Sequence, residues 1–366
     1  MNNCIPPLTE PKTSQFEPQS VGCKIPQAEL EGLLGRCLTD HSCQESEPLP
    51  SFCQGIGSDC SLQPSGVPNV FLASTTDFFY PLVEDPYVMG KIGAANVLSD
   101  LYAAGITSCT NVLMILAGSS DMPLEERRIV LELMIRGFSD QVEKAGSKVT
   151  GGQTIFNPWP MIGGTAMSVV SKHELFQLSE SQVGDILVLT KPLGTQVAVN
   201  LHQWLVSKPD LWKQVEGVIH EDEVLWAYDV ATESMQRLNR TAATLMKKYN
   251  AHAATDVTGF GILGHARNLA RQQRRHVSFV LECLPCIKGM AKVDRCVKQG
   301  DRFQLCRGLS AETSGGLLIA LPVDSVESFL NEIYLEEGWK SFVVGRVLDG
   351  NRDAFVKDPI EIFDVE

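Results

Sequence analysis

Apolar periodicity in this chain moves between the two-residue repeat of strands and the 3.6-residue repeat of helices, without a regular strand–helix–strand beat. The pattern comes in two successive sets that meet near Gly184. A doubly wound parallel sheet needs a crossover after each strand, so the irregular mixture predicts two α+β domains instead. We expect a flexible tail and loop over residues 1–26, a first domain over 27–180 and a second over 181–366. The first set reads as a short helix at 27–38, a loop region at 41–66, strands at 70–75, 111–117, 148–150 and 161–170, and helices at 85–104 and 123–145. The second reads as strands at 185–190, 252–254, 277–281, 317–321 and 342–347. Its helices fall at 196–205, 221–249 and 325–336, with another ending at Gln273. Asp85-Pro86 is a strong helix start, and Gly105 is a stop.

Charge narrows the function classes. The chain has 366 residues, and 31 Lys and Arg against 44 Asp and Glu give a net charge of −13. Sequence-independent binding to nucleic acid or to an anionic membrane is excluded as the main activity, because both require a positive surface. An anionic substrate would then be held through a metal ion or through backbone N–H groups. No apolar run approaches the roughly 20 residues of a membrane helix. Residues 1–18 carry neither the basic start nor the apolar centre of a secretory signal. The 11 cysteines, an odd and scattered set, read as reduced thiols in the cytoplasm.

Four aspartates stand among small or apolar neighbours: Asp59 after Gly55-Ile56-Gly57-Ser58, Asp77 at the end of a strand, Asp100 on an apolar helix, and Asp256 after Ala253-Ala254-Thr255. Asn96 precedes Asp100 by four residues and shares its helix face. A buried carboxylate is costly unless paired or bound to a cation. Any one of these alone reads as a cap or turn residue. Four together point to a hard cation such as Mg²⁺, which takes few carboxylates and leaves positions for phosphate oxygens. Gly151-Gly152-Gln153-Thr154 follows a strand and reads either as a phosphate-approaching loop or as a plain tight turn.

Other motifs fail on context. Gly259-Phe260-Gly261-Ile262-Leu263-Gly264 spells a dinucleotide fingerprint, but Asp256-Val257-Thr258 separates it from its strand, and the next acid, Glu282, lies beyond a basic run. Cys283 and Cys286, with Cys296 and Cys306 beyond, form only one close pair, so free thiols are expected rather than a zinc site. His252 and His265 flank the Asp256 loop and read as local hydrogen-bonding groups. Asn239-Arg240-Thr241 matches a glycosylation sequon but sits in a strongly helical stretch, where modification is not expected.

As an ordered set the motifs are specific. They are Gly22-Cys23-Lys24, Gly57-Ser58-Asp59, Thr75-Thr76-Asp77-Phe78, Asn96-Val97-Leu98-Ser99-Asp100, Gly151-Gly152-Gln153-Thr154, Thr190-Lys191-Pro192-Leu193-Gly194-Thr195, Ala254 to Gly261 and Glu312-Thr313-Ser314-Gly315-Gly316. Together they resemble the selenide, water dikinases (selenophosphate synthetases), in their animal branch, from about Val21 to the chain end. The resemblance implies the fold of aminoimidazole ribonucleotide synthetase: two α+β domains, with N-terminal domains sharing a barrel in a homodimer. It implies conversion of ATP, selenide and water to selenophosphate, AMP and phosphate. It assigns Mg²⁺ to Asp59, Asp100 and Asp256. It assigns ATP contacts to Lys24, Gly57, Ser58, Asp59, Asp77, Asp100 and Gly151 to Thr154, in a first domain that binds ATP and dimerises.

One position departs from the family. Two residues before Cys23 the family carries a catalytic selenocysteine or cysteine, and this sequence has Val21. Valine offers no nucleophile, so the catalytic loop reduces to Val21, Cys23 and Lys24. Two readings stay open from sequence: an active dikinase, in which Cys23 helps or Val21 stands for a mis-decoded selenocysteine, or an ATP-binding paralogue acting in redox or selenium regulation. The codon for residue 21, read with any selenocysteine-insertion hairpin in the transcript, discriminates between them.

Overall fold

A computed structural model describes residues 58–175 and 178–366. The tail, the catalytic loop with Val21, Cys23 and Lys24, the expected helix at 27–38 and Gly57 lie outside the described residues.

The first half is built on a five-stranded sheet. Its strands are β1 (Ser61–Pro64), β2 (Val70–Phe79), β3 (Asn111–Ser119), β4 (Val149–Asn157) and β5 (Met161–Ser171), in the spatial order β1-β2-β5-β3-β4. Only β3 and β4 run parallel; the other neighbours are antiparallel. Two helices, α1 (Pro86–Ala103) and α2 (Leu124–Lys144), cover one face. They approach closely because a Cβ at Gly137 would lie 1.9 Å from the Tyr87 carbonyl oxygen and one at Gly90 2.2 Å from that of Met134. Asp85 caps α1 by accepting from the N–H groups of Tyr87 (2.8 Å) and Val88 (3.2 Å), and Gly105 closes it at φ 74°. Nearly all of α1 is buried, Asn96 and Ser99 included, because its second face packs on the other half of the chain. The opposite face of the sheet carries exposed Leu72, Phe78 and Val169, and the edge strand β4 carries exposed Ile155 and Phe156.

The second half holds a six-stranded sheet ordered β11-β8-β10-β6-β9-β7. The strands are β6 (Ile186–Leu189), β7 (Ala253–Asp256), β8 (Val277–Ile287), β9 (Leu317–Leu321), β10 (Phe342–Asp349) and β11 (Ala354–Val365). Its principal helices are α3 (Thr195–Ser207), α4 (Glu221–Gln236), α5 (Arg240–Lys248), α6 (Gly261–Arg271), α7 (Met290–Cys296) and α8 (Val326–Glu337). α1 touches β7, α4 and α5, so one core cluster runs through both halves.

Four sequence expectations change. Gly151 to Thr154 is not a loop but the middle of strand β4. Gly152, at φ 145°, lets β4 approach β3, where a Cβ would meet the Met114 carbonyl oxygen at 1.9 Å. The expected helix at 221–249 is two helices, because Arg237 is extended (ψ 132°) and Asn239 turns its side chain inward. β2 runs on to Phe79, so Asp77 lies within the strand rather than at its end. β1, β11 and α7 lacked an apolar repeat strong enough to stand out; β11 is an edge strand with mixed charges and Pro359 inside it.

Candidate active site at the junction of the two halves

The two sheets bring three of the four aspartates to one place. Asp59 immediately precedes the short segment leading into β1, Asp256 ends β7, and Asp100 sits on α1 between them. All three line a pocket of about 130 Å³ together with Ser58, Thr255 and His265. Ligand atoms of Asp59, Asp256 and His265 lie within 4.8 Å of one another, the one such group among the described residues. Carboxylates gathered this closely repel one another and favour a cation between them.

Hydroxyl neighbours aim these carboxylates. Thr255 Oγ1 donates to Asp59 Oδ1 at 2.9 Å. Thr75 Oγ1 donates to Asp100 Oδ2. Thr75 and Asp77 point the same way from β2, as alternate strand residues do. They meet Asp100 and Asn96, one helical turn apart on α1. Asn96 Nδ2 donates to Asp77 Oδ2 at 2.9 Å, while Asn96 Oδ1 accepts the Ser314 N–H at 2.9 Å. A strand pair at i and i+2 is thus matched to a helix pair at i and i+4.

Electrostatics decides which nearby groups can react. Cys60 adjoins Asp59, but burial pushes its thiol pKa up, and the Asp100 and Asp59 charges push it further, so it stays protonated and inert. Lys191 is fully buried, which drives its amine well below the usual lysine range. Its Nζ donates to the carbonyl oxygens of Arg237 and Ser314, each at 2.7 Å. Burial raises Glu312 to about 7, although its carboxylate accepts the N–H groups of Gly194 (2.7 Å) and Thr195 (2.9 Å).

Ser58, Asp59, Asp100 and Asp256 therefore come together, with Asp77 alongside through β2. Gly151 to Thr154 does not join them. Cross-strand register pairs Asp77 with Gly164, Gly164 with Met114 and Met114 with Gly152. That is three strand spacings, ~14 Å in one chain. Val21, Cys23, Lys24 and Gly57 fall outside the described residues. His252 is the local group expected, 2.9 Å from Asp185. His265 is that and more: its Nε2 accepts from the Phe260 N–H at 3.4 Å and lies 3.2 Å from Thr258 Oγ1, yet the ring also stands in the carboxylate cluster. The threonine just before Asp256, and the one two before Asp77, was the available signal for the carboxylate-aiming hydroxyls. The 312–316 motif drew attention to Ser314 and a sequon to Asn239, but neither was tied to its hydrogen-bond partners at the site.

Cys283 and Cys286 lie three apart on β8 and so face opposite ways, which prevents them from sharing one metal. Both are free thiols, as are Cys296 and Cys306.

Comparison with known proteins agrees with this architecture. The AIR synthase related N-terminal domain model matches residues 57–170, and the C-terminal domain model matches residues 182–358. A thiamine monophosphate kinase from Aquifex aeolicus superposes with a TM-score of 0.60 at 17% identity, covering 91% of this chain and 98% of that one. HypE from Escherichia coli does so at 0.57 and 15%, covering 90% and 93%. Fold and carboxylate pocket define a protein of the AIR synthase related class. A selenide, water dikinase from Dictyostelium discoideum is 50% identical over 328 residues, 90% of this chain and 85% of that protein. Selenide, water dikinase 2 from Homo sapiens is 50% identical over 369 residues, 94% and 82%. Within that class, the chain belongs to the selenide, water dikinase family.

Proposed function

We propose that the chain makes selenophosphate, AMP and phosphate from ATP, selenide and water. The observation that carries this reading is the convergence of Asp59, Asp100 and Asp256, drawn from both halves, on one pocket. Oxygen donors suit Mg²⁺, and the hydroxyls of Thr255 and Thr75 already orient two of the carboxylates. Asp59, Asp100 and Asp256 would hold the ion. Bound there, Mg²⁺ supplies the charge stabilisation that phosphoryl transfer requires.

The chain's own residues do the rest. Asp77, held by Asn96, contacts ATP beside the ion. Lys24 adds a cation for the phosphates. Gly151 to Thr154 contacts ATP from the second protomer of a homodimer, since within one chain it stands three strands from Asp77. We set the division between domains at 180/181, a reading supported by domain models that match on either side of it. Among the described residues no helix is long and apolar enough to cross a membrane; we place the protein in the cytoplasm.

Val21 limits the selenide step, since only a thiolate or selenolate supplies that chemistry, and buried Cys60 cannot substitute. Cys23, two residues on, gives partial rescue, because near-attack geometry loses on the order of 100-fold per ~1 Å of displacement. ³¹P NMR with ATP, Mg²⁺ and selenide is expected to show slow selenophosphate formation by the Val21 protein and a large gain in Val21→Cys. Equal yields would mean that residue 21 is not the chemical centre. Selenophosphate from neither form overturns the reading.

A further inference from the structure

The Glu312 to Gly316 segment joins the two halves at the site, and neither the carboxylates nor the pocket account for it. On its own side it is pinned closely. The Glu312 N–H donates to the Thr258 carbonyl at 3.0 Å, and the Gly316 carbonyl accepts from Val257 N–H at 2.9 Å. A Cβ at Gly315 would fall 2.0 Å from the Val257 carbonyl oxygen, so the segment lies directly on the strand end that carries Asp256. Ser314 sits at φ 47°, a left-handed conformation that a non-glycine residue keeps only when its surroundings impose it. Lys191 Nζ supplies part of that constraint by holding the Ser314 carbonyl at 2.7 Å.

Toward the first half the same segment makes two amide relays. Ser314 N–H donates to Asn96 Oδ1, and Asn96 Nδ2 donates to Asp77 Oδ2, both at 2.9 Å. Asn239 Nδ2 donates to the Gly315 carbonyl at 2.8 Å and to Ser99 Oγ at 2.9 Å, and Ser99 directly precedes Asp100. Asn96 is 4% exposed and Asn239 3%, so water does not compete for these bonds, and the sequon at Asn239 is closed to glycosylation. Asn96 accepts from one partner while donating to another, and Asn239 donates to two acceptors through its amide nitrogen; a carboxylate has no donor for either task and an aliphatic group makes none of these bonds.

We infer that Asn96 and Asn239 are positioning residues through which the 312–316 segment sets Asp77 and Asp100 of the first half against Asp256 of the second. This rests on the reading that Asp77 and Asp100 serve Mg-ATP. The pocket is therefore held in register by backbone and amide groups that touch no substrate.

The test is calorimetry of the full chain with Mg²⁺ and a non-hydrolysable ATP analogue, with thermal melting alongside, on wild type, Asn96→Asp, Asn239→Ala and Asp77→Ala. Asn96→Asp keeps an acceptor for Ser314 and loses the donor to Asp77. It is expected to weaken binding about tenfold at pH 8, the equivalent of ~1.4 kcal/mol. The deficit relative to wild type should shrink toward pH 6, where the introduced carboxyl regains a proton to donate; a purely structural lesion would not follow pH in this way. Asn239→Ala, which leaves Asp77 and its bond intact, is expected to weaken binding to a similar extent, and carries the test if Asn96→Asp shows no cooperative melt. Wild-type affinity in folded Asn96→Asp or Asn239→Ala, with affinity lost in Asp77→Ala, overturns the inference and leaves the function standing. Wild-type affinity in Asp77→Ala as well overturns both. A deficit in Asn96→Asp that stays constant with pH also overturns the positioning role.

Discussion

Asp100 illustrates what one side chain does here. It stands on a helix buried on nearly every side, takes a hydrogen bond from Thr75 and faces Asp59 and Asp256 across a small pocket. A carboxylate so placed is costly unless paired, and the Thr75 hydroxyl supplies one partner. Asp100→Ala removes an oxygen donor and leaves phosphate charge uncompensated, while the fold loses the hydrogen bond from Thr75. We expect Mg-nucleotide affinity to fall at least about tenfold for each ~1.4 kcal/mol of lost interaction, with little change in melting temperature. Calorimetry showing undiminished affinity would remove Asp100 from the metal set. At this scale the sequence was informative about charge, since an acid among small residues is unusual. It was silent about the contact between Asn96 and Ser314, because residues 218 positions apart meet only after folding.

Among the elements, helix α3 depends on a carboxylate from elsewhere in the chain. Gly194 precedes it, and its first N–H groups are satisfied by Glu312, 117 and 118 residues later. Burial raises Glu312 from the ordinary 4.5 to about 7, so between those values the folded state holds a proton that the unfolded chain has released. The stability from this group is complete below about pH 4.5 and is lost as pH rises through 7, by roughly 3 kcal/mol at most. Urea midpoints measured from pH 4.5 to 8 should show this downward slope in the wild type relative to Glu312→Gln, which has no proton to lose. Matching pH profiles for the two would show that Glu312 titrates normally. Helix-level reading of the sequence was reliable where the cap was local, as at Asp85 and Gly105. It failed at 237–239, where periodicity continued but Lys191 and Asn239 made better bonds by breaking the helix.

Across the whole molecule, one face of the first sheet is unfinished. Phe78, Val169 and Ile155 are 53–55% exposed, while Ala73, Ala166 and Val112 on the covered side are fully buried. Among the described residues β4 is an edge strand beside that apolar surface. We expect a homodimer of about 80 kDa, twice 40.1 kDa, in light scattering at micromolar concentration. Ile155→Asp should shift it toward monomer and weaken ATP binding together, because Ile155 is on the open face and Gly151 to Thr154 lies on the same strand. A wild-type monomer would remove the second protomer from the nucleotide site.

What the sequence determined by itself is what local physics encodes: two α+β halves from mixed periodicity, helix ends from capping and glycine, and the special status of Asp59, Asp77, Asp100 and Asp256 from charge in small-residue surroundings. Tertiary structure alone decided the rest. A glycine pair reads alike in a turn or in a strand, and only the closeness of β3 made Gly151 and Gly152 strand residues. Cys283 and Cys286 have a chelating spacing in a loop but not on a strand, where alternation sends them to opposite faces. Asn96 was read as a face-mate of Asp100 and Asn239 as a sequon, and their long-range amide bonds formed only when the two halves closed around them. Propensity and charge act over a few residues and can be read in order along the chain; burial and long-range hydrogen bonds depend on which surfaces meet, and that is fixed only by the packed whole.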